Sequence, residues 1–128
     1  MTLENFLAMP DVSELREEVY INERIGRFVI KPMTEKQWGD YRKRCTKTNS
    51  KNVDIDYSKL NLLVISNQVV EPNFADAKFL ADVGCTTAAE FISRKFRAGE
   101  VQDIADKIVR VSGFEADINE DVETAKNS

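Results

Sequence analysis

Few side chains in this chain could do covalent or metal chemistry, and their spacing excludes most of it. There is no histidine, which rules out Ser-His-Asp and Cys-His nucleophilic catalysis and any histidine-ligated zinc. Two cysteines, Cys45 and Cys85, stand far apart with no second pair. They offer neither a thiolate metal site nor a disulfide framework, and reduced thiols in a cytosol are the expectation. Lys43, Arg44 and Lys47 flank Cys45 and could lower its thiol pKa, although a cysteine on the core face of a helix fits the same pattern. Asp54-Ile55-Asp56-Tyr57-Ser58 imitates the start of a calcium loop, but Lys59 stands where an EF-hand needs glycine and Ile65 where it needs glutamate. Asp117-Ile118-Asn119-Glu120-Asp121 fails likewise, with Val122 at the glycine position. The five glycines are scattered, so no phosphate-cradling loop exists. No catalytic residue, metal ligand or cofactor follows, and an enzyme acting through paired carboxylates is unsupported rather than excluded.

Charge is distributed unevenly. The formal net charge is −4, yet residues 1–18 carry five acids and one base, residues 19–52 nine bases and three acids, and residues 115–128 five acids and one base. The basic middle reads in two ways. It is a solvated helix face and loop flanked by acidic ends, or a nucleic-acid-binding regulator uses residues 31–51 and binds with strong salt dependence.

The elements that would carry these groups read from periodicity and caps. Val19-Tyr20-Ile21, a turn at Asn22–Gly26 and Arg27–Lys31 predict a β-hairpin over 19–31. Pro32 stops its pairing. Thr34 with Gln37 forms a capping box and opens a helix to about Cys45, with Gly39 costing it about 1 kcal/mol relative to alanine. Residues 46–56 read as a mobile loop. Asp56 or Ser58 caps a helix over 58–70 whose apolar residues occupy more than one face, so it should be central, and Pro72 ends it. Asp76 starts a short helix closed by Gly84. Thr87 with Glu90 caps another, ended by Gly99. Val101, Ile104, Ala105, Ile108 and Val109 have the cleanest helical spacing, terminated by Gly113.

The fold class expected is therefore α+β: a mainly helical single domain with an N-terminal β-hairpin packed on a four- to five-helix core. Its divisions are an N-terminal arm at 1–18, the domain proper at 19–114, and an acidic, disordered tail at 115–128. No apolar run approaches the roughly 20 residues that span a bilayer, and no basic-then-apolar secretory leader is evident. Apolar residues on the arm, Leu3, Phe6 and Leu7, share one helical face too short to be stable alone. The loop after Pro72 should present Phe74, with Phe79 and Leu80 following. These six residues are the candidate partner-binding or self-association surfaces.

Five short pieces carry a resemblance. Ile30-Lys31-Pro32-Met33-Thr34-Glu35-Lys36-Gln37 leads to Tyr41-Arg42-Lys43-Arg44-Cys45-Thr46, then come Pro72-Asn73-Phe74-Ala75-Asp76-Ala77, Ala98-Gly99-Glu100, and Ser112-Gly113-Phe114-Glu115. In this order and spacing the chain resembles the XkdN-like phage tail assembly chaperones. The approach to the Gly-Glu pair departs from the family, with Phe96-Arg97-Ala98 where leucines are usual, and the arm and tail lie outside the matched motifs. The resemblance implies a non-enzymatic protein of the infected host cell's cytoplasm. Such chaperones bind the tape measure protein, keep it soluble, recruit tail tube subunits around it and leave before the tail is finished. Many also exist in a longer, frameshifted form. Neither a nucleic acid nor a membrane is an implied partner.

Overall fold

The computed structural model describes residues 1–48 and 51–114. Thr2 caps a one-turn helix, α1 (Leu3–Leu7): its Oγ1 accepts the Asn5 amide while Asn5 Oδ1 accepts the Thr2 amide at 2.9 Å. A 3-10 turn at Val12–Glu14 follows. The hairpin is longer than its hydrophobic run suggested, with β1 (Glu17–Asn22) pairing antiparallel to β2 (Gly26–Ile30). Gly26 takes φ +86° at the turn, a conformation that a Cβ makes costly. The Asn22 side chain closes the turn by accepting the Ile25 amide at 2.9 Å.

Helix α2 (Glu35–Arg44) has the full capping box: Thr34 Oγ1 accepts the Gln37 amide at 3.1 Å and Gln37 Oε1 accepts the Thr34 amide at 2.9 Å. The stretch expected to be a mobile loop contains a small hairpin instead, β3 (Thr46–Thr48) with β4 (Val53–Ile55). Its strands alternate β-branched with polar residues, and the Asp56 amide donates to the Cys45 carbonyl at 2.8 Å to close its base.

Asp56 caps α3 (Tyr57–Gln68), which stops two residues short of the expected end. Val69 and Val70 belong to β5 (Val69–Glu71), a third strand alongside β2 in the order β1-β2-β5. Two β-branched residues approaching a proline favour extended backbone, and the free edge of β2 supplies partners.

Asp76 caps α4 (Ala77–Asp82) and Thr87 caps α5 (Ala88–Lys95). The Glu90 carboxylate reaches past Thr87 to accept the Thr86 amide at 2.9 Å. Gly99 does not end α5. The break is the extended pair Phe96–Arg97, and Gly99 lies in the first turn of α6 (Ala98–Val111). Both α4 and α6 close with the two hydrogen bonds of a Schellman motif around a left-handed glycine, Gly84 and Gly113.

Helices α3 and α6 form the centre of the molecule. Ile65, Ile92, Ile104 and Ile108 are fully buried, joined by Ile30 and Phe28 from the sheet. The architecture is mixed α+β, as the sequence suggested, with the hairpin extended to three strands. The acidic tail, 115–128, lies outside the described residues.

Gly39 sits inside α2, and a Cβ built there meets nothing within 4 Å. Gly39→Ala should therefore raise stability by roughly 0.5–1 kcal/mol in a denaturant titration, with the slope unchanged. A loss of stability would mean that α2 needs the glycine for a contact.

Candidate functional site

The candidate residues divide sharply by burial. Phe74 is 6 % exposed, which corrects the expectation that the loop after Pro72 presents it. It is the hub of an aromatic cluster, with ring centroids 5.6 Å from Phe28, 5.6 Å from Phe91 and 5.7 Å from Phe96. Phe79 joins through Phe91 at 4.9 Å, and Leu80 is buried on α4. Asn73 bends the chain inward, its side chain accepting the Ala75 amide at 3.1 Å. Phe74 and Leu80 are therefore core, while Phe79 is only partly buried.

The other three candidates are on the surface. Leu3 is 84 %, Phe6 54 % and Leu7 87 % exposed, and α1 buries nothing. Met1, Met9, Val12 and Leu15 extend the exposed apolar set along the arm. The Thr2 cap preforms the turn that puts Leu3, Phe6 and Leu7 together, so the stripe exists without a partner to order it.

A second apolar surface was not foreseen. The surplus apolar residues of α3, Leu62 and Leu63, are only half-buried. With Ala88 and Ala89 of α5 they line an open groove of about 500 Å³, rimmed by Asp56, Ser58, Lys59, Ser66 and Thr87. Apolar residues on every face of α3 were the available signal. That pattern predicts a central helix buried on most sides, and Leu62 and Leu63 are on the side left open.

The chemistry-bearing groups are occupied structurally. Glu100 is 5 % exposed at the start of α6. Its carboxylate accepts from Arg24 Nε at 2.9 Å, Asn22 Nδ2 at 3.0 Å and the Arg97 amide at 2.8 Å, while Arg24 Nη2 makes a further bond to Oε1. The same Nη2 donates to the Lys95 carbonyl at 3.0 Å. Both oxygens are saturated, which suits a clamp between the hairpin and the α5–α6 junction better than an acid or base. The Arg24 hydrogen bond, reinforced by the Arg97 amide and Asn22, holds Glu100 far below the usual carboxylate range against the effect of burial. At Cys45 burial outweighs the nearby cations and pushes the thiol up, which fits the core-thiol reading rather than an activated thiolate.

Part of the basic segment's charge is used internally. Arg44 pairs with Asp40 at 3.1 Å, Lys47 with Asp56 at 3.4 Å, and the Arg42 guanidinium lies 5.9 Å over the Trp38 ring. Among the described residues no cluster of histidine, cysteine or carboxylate groups could hold a metal ion, and no helix is long and apolar enough to cross a membrane.

Two substitutions test these assignments. Phe74→Ala should cost roughly 3–5 kcal/mol of stability by leaving a cavity among three rings; a variant as stable as the wild type would return Phe74 to the surface. Glu100→Gln bears on pH. Because the folded pKa is depressed, this carboxylate contributes stability that is complete above its unfolded value of about 4.3 and is lost as pH falls through the lower folded value. The variant should melt lower than the wild type at neutral pH, and the two melting curves should converge in acid. Parallel curves would mean that Glu100 is not coupled to folding.

Comparison with known proteins accords with this geometry. The crystal structure of the protein YqbN superposes with a TM-score of 0.67 at 18 % identity, covering 90 % of this chain and 98 % of that one, so the two share a fold. No curated protein matches the chain. A family model described as phage XkdN-like tail assembly chaperone protein matches residues 3–126, and so takes in the exposed arm as well as the folded body. The chain belongs to the XkdN-like family of phage tail assembly chaperones.

Proposed function

We propose that this chaperone binds the tape measure protein of its phage, keeps it soluble, and promotes assembly of tail tube subunits around it in the host cell cytoplasm, without catalysing a reaction. The observation that carries the reading is the arm. Seven large apolar side chains between Met1 and Leu15 are exposed, while the body from Glu17 onward buries its own core. A folded domain that spends this much apolar surface on solvent has it available for another chain. The α3–α5 groove gives a second place for a client helix to lie, in the manner of helix-in-groove recognition.

Magnitudes suit a reversible holdase. Burying Leu3, Phe6 and Leu7 releases roughly 1.5–3 kcal/mol each. Association costs consume a large part of that sum, which leaves binding tight enough to suppress aggregation and weak enough to be displaced as the tail is built. Tail tube subunits and other copies of the chaperone are the further partners in this reading.

Co-expression tests it. The wild-type chain should raise the soluble fraction of its cognate tape measure protein by mass action. Leu3→Ser with Phe6→Ser and Leu7→Ser should abolish that effect and leave the melting temperature unchanged, since exposed substitutions cost within about 0.5 kcal/mol. Full rescue by the triple variant would remove the arm as the contact, and failure of the wild type to solubilise the client would refute the function.

A further inference from the structure

We propose that the arm selects its partner by charge as well as by apolar area: its occupant is an amphipathic helix whose apolar stripe is flanked by lysine and arginine. The proposal rests on the reading that the arm is client surface. Acids are interleaved with the apolar residues all along it. Glu4 sits within α1 between Leu3 and Phe6, Asp11 and Glu14 bracket Val12, and Glu17 opens β1. Arg16, the single base of residues 1–18, folds its guanidinium back to donate to the Ser13 and Leu15 carbonyls, both at 2.8 Å. Among the described residues, Glu18 is the acid of this stretch that pairs with the body, with Arg27 at 3.6 Å. A cationic flank on the incoming helix would complement the other four acids at the moment its stripe covers Leu3, Phe6 and Leu7, and a like-charged flank would be repelled.

The arrangement disfavours an anionic membrane as the occupant. Helices that lie on membranes carry lysine and arginine on their polar face, and an acidic one is repelled by anionic lipid. A second copy of this chain is the competing occupant, since Asp56 at the rim of the α3–α5 groove is already paired with Lys47 and Lys59 remains to attract an acidic arm; a measurement of self-association separates the two.

The test titrates the full chain with three synthetic peptides that share one leucine stripe and differ in its flanks: lysine, glutamine or glutamate. The lysine peptide should bind tightest and the glutamate peptide weakest, separated by on the order of tenfold in Kd at low salt, since several exposed pairs act together. The gap should close at about 0.5 M salt. Glu4→Lys with Glu14→Lys leaves two lysines against Asp11 and Glu17, so it should erase the order while the melting temperature holds. Equal binding of the three peptides, binding of none, or an order unchanged by the double variant would overturn the proposal. So would self-association of the wild type that the triple serine variant abolishes, which would make a second copy the occupant. Equal peptide binding together with intact solubilisation of the tape measure protein would overturn charge selection alone, whereas loss of that solubilisation in the wild type would remove the functional reading too.

Discussion

A buried amide sets the layout of this molecule. Gln68, the last residue of α3, has no solvent exposure, so each polar atom of its side chain must find a partner inside the protein. Tyr41 donates its hydroxyl to Oε1 at 2.6 Å, and Nε2 donates to the carbonyls of Lys31 at 2.9 Å and Pro32 at 3.2 Å. The Lys31 amide in turn donates to the Gln68 carbonyl at 2.9 Å. One residue therefore fixes where β2 ends, how α2 leans on α3, and where α3 gives way to β5. Removing any partner would leave a polar atom desolvated and unpaired, a larger cost than the bond itself gains.

From that junction the motifs that carry the family resemblance can be understood physically. They are joints. The Met33 amide donates to Ser112 Oγ at 2.9 Å, and Trp38 lies 6.0 Å from the Phe114 ring, so the first motif meets the last. Ala98-Gly99-Glu100 places the carboxylate that clamps the hairpin turn through Arg24. Pro72-Asn73-Phe74 turns an aromatic inward to hold α5 and the sheet together. With its joints satisfied internally, the molecule leaves apolar surface open on the arm and in the α3–α5 groove, besides single exposed side chains such as Tyr20 and Val53. A scaffold of this kind can hold an apolar client without unfolding to do so.

The local elements were legible because their determinants are local. Thr34 with Gln37, Asp76 with Gly84, and the spacing of Ile104 and Ile108 each predict an element from a few neighbouring residues, and the structure contains all of them. What could not be read depended on partners distant in sequence. Val69 and Val70 are strand only because the edge of β2 is free to receive them. Phe74 is buried only because Phe28, Phe91 and Phe96 converge on it. Glu100 has no local mark beyond its place in a capping pattern, and its role exists only once Arg24 has been folded against it. The exposed arm was legible for the converse reason: a short amphipathic run with little around it in sequence has little around it in space.

The central claim is that a rigid, self-satisfied body presents a preformed apolar arm to the client. Hydrogen exchange of the chaperone alone and with its tape measure protein tests this most directly, because it reads every segment at once. Slowed exchange on binding should be confined to residues 3–15 and to the α3–α5 groove, with α6 equally protected in both states. An arm that exchanges as fast in the complex as alone, or a core that loosens when the client binds, would contradict the account.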